Sequence, residues 1–192
     1  MAIKKGIYAA SMSIFNQDLS LDIDSTIKHS EKLIEEGLTG VVFFGSTGMG
    51  QLISSNEKRQ LIEKLTSNKF QDHFIIGTGD NSLNESIELM RYSVNRGINR
   101  FLIMPPAYYK YDDDGAYSFY RSVVKKVPES KIILYNYEKL CGYKFSAPIV
   151  KKLVKDFPKQ IVGLKDSTTN LFETLKIPNF LIFTGSELSL LK

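Results

Sequence analysis

Lys165 closes a short apolar run, following Ile161-Val162-Gly163-Leu164 and preceding Asp166-Ser167. An amine held there, away from water, loses part of its hydration. The ammonium form is then disfavoured, the pKa falls and a nucleophilic amine becomes available. Such an amine can attack a ketone and form a Schiff base. The other reading is an ordinary strand-end lysine reaching solvent. A second cluster, Gly45-Ser46-Thr47-Gly48-Met49-Gly50, follows the apolar run 39–44. Glycines let backbone amides come close to a ligand, and the Ser46 and Thr47 hydroxyls can donate to a carboxylate, so the segment suits an anion. A tight turn with a helix cap fits it equally well. Tyr135-Asn136 ends the run 131–135, and Pro105-Pro106-Ala107-Tyr108-Tyr109 follows the run 100–104. A positioned phenol can relay protons, although a tyrosine in such a place also serves as an amphipathic core residue.

Other chemistries find no support in the spacing. His29 and His73 stand apart, without the separation of metal ligands. There is no G-x-S-x-G elbow and no G-x-x-x-x-G-K-[ST] loop. Asp112-Asp113-Asp114 reads as a solvated helix start, its charge complementing the helix dipole. Asp80 follows the third apolar run without an evident partner. The net charge of +4 comes from scattered lysines and arginines, with Lys4-Lys5, Lys125-Lys126 and Lys151-Lys152 the only lysine doublets. That argues against nucleic acid as a partner. One cysteine, Cys141, excludes an internal disulfide and fits a reducing compartment. No apolar stretch has membrane-spanning length, and the first residues lack a signal-peptide core. A cytoplasmic protein acting on a small molecule is expected.

The elements that position these residues alternate. Apolar runs of strand length occupy 6–10, 39–44, 73–77, 100–104, 131–135, 160–164 and 180–183, most of them near-continuous as in strands buried on both faces. Between them the sequence predicts helices. Ile27, Glu31 and Ile34 mark the first, ending at Gly37. Ser54 with Glu57 and Ser82 with Glu85 are capping-box signatures for the second and third, the third stopping near Gly97. Residues 112–126 form the fourth, Ser146 followed by Pro148 opens the fifth, and Asn170 with Glu173 opens a short sixth, closed before Pro178. Such alternation predicts a parallel sheet with right-handed crossovers. No G-x-G-x-x-G follows the first run, which weakens a dinucleotide fold and favours a (β/α)₈ TIM barrel. The 43% hydrophobic, 24% charged composition suits one such domain over residues 1–192. A full barrel usually needs about 250 residues. The seventh run lies just before Lys192, so an incomplete barrel of strands one to seven is expected.

The order of these motifs resembles the dihydrodipicolinate synthase/N-acetylneuraminate lyase family. Gly45-Ser46-Thr47-Gly48, Tyr108-Tyr109, Tyr135-Asn136, Gly163-Leu164-Lys165-Asp166 and Phe183-Thr184-Gly185-Ser186-Glu187 carry the resemblance. It implies a class I, Schiff-base aldolase on a (β/α)₈ barrel, needing no metal or organic cofactor. Lys165 would bond to pyruvate or to the ketone of a 2-oxo acid. Tyr135 would shuttle protons, Ser46 and Thr47 would hold the carboxylate, and Gly185 would line the substrate site. Tyr109 would reach a neighbouring subunit's site and complete a Thr47–Tyr135–Tyr109 relay, which implies a homo-oligomer, a dimer or tetramer. Departures from the family pattern shape the substrate expectation. Leu140 stands where the synthase proper has an arginine for its second substrate's carboxylate, Met49 replaces an acidic residue, and Ser13-Ile14-Phe15 replaces Thr-Pro-Phe. A lyase or aldolase working on a 2-keto-3-deoxy sugar acid is therefore favoured over the 4-hydroxy-tetrahydrodipicolinate synthase of lysine biosynthesis. A non-catalytic fragment or binding remnant of such a barrel is the expectation from another class.

Overall fold

The computed structural model describes residues 3–186. Seven parallel strands form one sheet in chain order: β1 (Tyr8–Ala10), β2 (Gly40–Phe43), β3 (Phe74–Gly77), β4 (Arg100–Ile103), β5 (Lys131–Asn136), β6 (Ile161–Asp166) and β7 (Leu181–Thr184). Runs one to four contain their strands, whereas β5, β6 and β7 continue one or two residues past the expected ends. Helices α1 (Ile23–Glu35), α2 (Ser55–Leu65), α3 (Leu83–Val94), α4 (Asp113–Lys126), α5 (Glu138–Cys141) and α6 (Ala147–Asp156) fill the crossovers. The sheet curls so that its two edge strands approach. The Tyr8 ring on β1 meets the Phe183 ring on β7 edge to face, centroids 5.5 Å apart. This is an incomplete (β/α)₈ barrel, as the alternation predicts.

Side chains alternate across a strand, and here they build two cores. Val41, Phe43, Phe74, Ile76, Phe101, Ile103, Ile132 and Leu134 point outward and pack under the helices. Val42, Ile75, Leu102, Ile133 and Tyr135 point inward and pack together, with Tyr8 and Phe183 against them. Each large side chain fully buried in this way contributes about 1.5–3 kcal/mol. Tyr120 of α4 is wholly buried among the outer set and donates from its hydroxyl to the Ile103 carbonyl at 2.7 Å, so the phenol enters the core without an unpaired polar atom.

Most helix starts follow their sequence signals. The Ser54–Glu57 capping box is complete. At α3 only half of it forms, because the Ser82 amide donates to Asp80 and the Glu85 carboxylate accepts from Ser55 instead. Asp112 caps α4, as expected. Asp113 does more than face solvent: its carboxylate accepts from Tyr143 and Ser146, tying α4 to the start of α6. The expected helix opened by Asn170 does not form, and residues 172–174 make only turns. Its cap residue is occupied elsewhere, since Asn170 bonds to Asn136 and to the Phe145 carbonyl. The amides of Leu171 and Phe172 go to Asp166. The one-turn helix α5 is an element the sequence reading lacks; Gly142, at φ 71°, ends it.

Candidate active site

All the sequence-predicted chemistry lies on one rim, at the carboxyl ends of the strands, where barrels carry their active sites. Parallel pairing sets Tyr135 of β5 level with Lys165 of β6, and Lys165 level with Phe183 of β7. Lys165 is thus inside the sixth strand, which continues to Asp166, rather than just beyond it. Its amine lies 4.7 Å from the centre of the Tyr135 ring. Tyr135 is buried, Lys165 half-buried. Burial alone holds the Lys165 ammonium below the ordinary lysine range. Among the described residues none of the ion pairs includes Lys165, so no carboxylate restores that charge.

The β2 loop supplies the next group. Ser46 Oγ and the Tyr135 hydroxyl share a hydrogen bond of 3.0 Å. The loop is held in a strained form: Phe44 and Met49 take φ of 58° and 52°, a left-handed conformation costly for such residues. The strain turns Ser46 back over the barrel mouth. The glycines have a different role from the one expected of them. A side-chain carbon at Gly50 would lie 2.0 Å from the Phe44 carbonyl oxygen, whereas one at Gly45 would meet nothing within 4 Å. Gly50 therefore lets the loop close on itself, and Gly45 leaves the approach open.

The remaining expected residues are less engaged. Thr47 is exposed, and among the described residues Tyr135 bonds to Ser46 and not to Thr47. Tyr109 is 77% exposed and packs edge to face on Tyr108 at 5.0 Å, without a bond to Tyr135. Within one chain the Thr47–Tyr135–Tyr109 relay is not assembled. Gly185 follows β7 at the rim, its amide donating to the Asp166 carbonyl, while Glu187 of the same motif lies outside the described residues.

A cavity of about 260 Å³ opens above Tyr135 and Ser46. Phe44, Met49, Leu52, Leu102, Met104 and Leu140 give it an apolar wall, and among the described residues no charged side chain lines it, Lys165 included; Thr47 also lies outside the lining. Leu140 thus stands at the mouth in the place expected for an arginine, and Lys139 beside it is exposed and outside the lining. Among the described residues no group of three or more His, Cys, Asp or Glu is placed to hold a metal.

Two features escape a sequence reading. Lys58 is 2% exposed and donates to the Thr78 carbonyl at 2.9 Å, with Asp80 nearby; burial lowers its pKa. Its signal was the spacing of Lys58, Leu61, Ile62 and Leu65 on the inner face of α2. The second is a buried polar cluster at the ends of β5 and β6, signalled by Asn136 and Asp166 closing two apolar strands at the same level.

The fold and this rim define a family. Residues 4–192 match the Dihydrodipicolinate synthetase family, and the chain belongs to it. It is 29% identical to an uncharacterized DapA-like lyase of Chloroflexus aurantiacus, over 97% of this chain and 65% of that protein. It is 29% identical to the L-threo-3-deoxy-hexylosonate aldolase of Aspergillus niger, over 93% of this chain and 56% of that protein. Among solved structures, YagE of Escherichia coli K12, a family member in complex with pyruvate, superposes with a TM-score of 0.84 at 26% identity, over 96% of this chain and 64% of that one. The chain thus spans less than two thirds of the length of these relatives. No helix among the described residues is long and apolar enough to cross a membrane.

Proposed function

We propose that the protein is a Schiff-base aldolase that joins pyruvate to an aldehyde or cleaves the product of that union. The observation that carries this reading is the Lys165 amine set 4.7 Å from the Tyr135 ring centre, with the Tyr135 hydroxyl bonded to Ser46. The pyruvate complex of YagE supports the choice of ketone.

The chemistry balances with the groups present. The Lys165 amine attacks C2 of pyruvate, and the carbinolamine loses water to give a protonated imine. Ser46 and Thr47 hold the carboxylate. Loss of a C3 proton, passed through Tyr135, gives an enamine, with the imine nitrogen as electron sink. The enamine carbon attacks the aldehyde carbonyl, whose oxygen takes up a proton, and water releases the 4-hydroxy-2-oxo acid and the free amine. Borohydride added with pyruvate should reduce the imine and fix the pyruvyl mass on Lys165. A protein that gains no such mass is not a Schiff-base aldolase.

The acceptor is read from Leu140 and from relatives of the Aspergillus niger kind. A 2-keto-3-deoxy sugar acid product fits better than the condensation of aspartate semialdehyde. That aldehyde carries a charge which the uncharged cavity wall leaves unmet. Missing a charge-assisted contact costs about 1.5–3 kcal/mol, roughly 10- to 100-fold in kcat/KM. Aspartate semialdehyde should lag a neutral hydroxyaldehyde by that margin in a pyruvate condensation assay; equal rates would show that another group supplies the charge.

We retain the cytoplasmic homo-oligomer as part of this reading. Tyr108 and Tyr109 are 88% and 77% exposed, an aromatic pair suited to burial against a second copy. Mixing inactive Lys165→Ala subunits with inactive Tyr109→Phe subunits should restore part of the activity, because one mixed site regains both groups. No recovery despite subunit exchange would confine Tyr109 to its own chain.

A further inference from the structure

Behind the reactive pair lies a closed polar cluster. Asn136 and Asp166, the last residues of β5 and β6, are both fully buried. Asn136 Nδ2 donates to Asp166 Oδ1 at 2.8 Å and to Asn170 Oδ1 at 2.7 Å, and Asn136 Oδ1 accepts from the Phe145 amide at 3.2 Å. Both Nδ2 protons and one lone pair of Oδ1 are used. Asp166 Oδ1 also accepts from the amides of Thr168 and Thr169, and Oδ2 from those of Leu171 and Phe172. Asn170 completes the ring by donating to the Phe145 carbonyl at 3.0 Å.

Neighbouring residues of a strand point to opposite faces. Asp166 therefore lies behind the sheet while Lys165 lies within the barrel. The groups facing Asp166 are Asn136 and four backbone amides, and none of the ion pairs among the described residues includes it. Its carboxylate is neither the counter-ion of the amine nor a proton donor to it. What the cluster does is mechanical. The 2.8 Å bond joins the residues directly after Tyr135 and Lys165, and the Ser167 amide adds a backbone bond to the Asn136 carbonyl. The β6 loop is stitched to the β5 loop as well, through the Glu138 amide donating to Thr168 Oγ1 at 2.9 Å.

We propose that Asn136 and Asp166 are positioning residues that lock β5 and β6 in register, so that the Tyr135 hydroxyl stays aligned with the Lys165 amine through the reaction. This rests on the Schiff-base reading above. The locked register matters because displacement of a reacting group by about 1 Å costs on the order of 10²-fold in rate.

Exchange of the pyruvate C3 protons with deuterated water, followed by NMR on the full-length protein, reads imine and enamine formation without an acceptor. Asn136→Ala should lower kcat for exchange by about 10- to 100-fold. The KM for pyruvate should stay within about 3-fold, because the groups that hold the carboxylate are untouched. Circular dichroism and a cooperative melt establish that the variant is folded. Asn136→Asp gives a signature that a purely structural role would not. At low pH the facing carboxyls share a proton and the cross-strand bond re-forms. At higher pH both ionise and repel. Its exchange rate relative to the unsubstituted protein should therefore fall as pH rises. If Asn136→Ala does not fold, Asn136→Asp decides. A folded variant that exchanges at the unsubstituted rate across the pH range overturns the proposal. Absence of both exchange and the borohydride adduct in the unsubstituted protein overturns the Schiff-base reading itself, and the proposal with it.

Discussion

Lys165→Ala is expected to abolish the borohydride-trapped pyruvate adduct and to cut turnover by about 10⁴- to 10⁶-fold, the scale of losing a covalent nucleophile. The expectation rests on the surroundings of the amine. Burial disfavours the ammonium and no ion pair opposes it among the described residues. The sign of the pH dependence follows. Below the lowered pKa the amine is protonated and inert. Raising pH through it frees the nucleophile, so imine formation should climb and then level off at a lower pH than an exposed lysine would give. Stability runs the same way. The folded pKa lies below the unfolded one, so between the two the unfolded chain binds the extra proton, and stability increases with pH across that window. Burying the ammonium is thus a cost at neutral pH. Lys165→Met should melt no lower than the unsubstituted protein at neutral pH, while losing the adduct. Retention of the adduct in either variant would move the nucleophile to another lysine.

Tyr135→Phe carries the next largest expected effect, a fall in kcat of about 10²- to 10⁴-fold, the usual range for a general acid–base group. In free energy this is roughly 3–5 kcal/mol of barrier. The ring itself should stay in place, since it packs with Val42, Ile75, Leu102 and Ile133 in the inner core. The loss is then that of the hydroxyl alone. Ser46→Ala separates the two partners of the 3.0 Å bond. It should act mainly on KM for pyruvate, by about 10-fold, because a hydroxyl that holds a carboxylate binds ground state and transition state alike. Steady-state kinetics of both variants would check the split. A Tyr135→Phe enzyme with unchanged kcat would remove the phenol from the proton path.

Much of this architecture was legible in the chain. The strands were visible because parallel strands under helices are apolar on both faces, and 39–44, 73–77 and 100–104 are near-continuous in that respect, each opened by a single polar residue. Lys165, Tyr135 and Ser46 could be placed on one rim because each follows or closes such a run. What escaped were features set by partners distant in sequence. Local pattern gives Asn170 as a cap, yet its side chain is claimed by Asn136 and Phe145, and Asp166 takes the amides a helix would need. Strand β6 runs on to Asp166 because its neighbours continue to pair with it, at Asn136 on one side and Thr184 on the other. Of two adjacent hydroxyls, the sequence could not choose the one that reaches Tyr135; the strained turn at Phe44 does so.

The pairing order of the sheet, β1 to β7 in chain order, also bears on how the molecule is made. Each strand docks on the one preceding it in the chain, so every closure spans only a few tens of residues and its entropic cost stays low. A chain emerging from the ribosome can lay down this sheet in one direction. Tyr135 arrives with the fifth strand and its platform is in place before Lys165 appears in the sixth. Lys165, the proposed nucleophile, is thus synthesised after Tyr135, and it meets a surface already built to desolvate it.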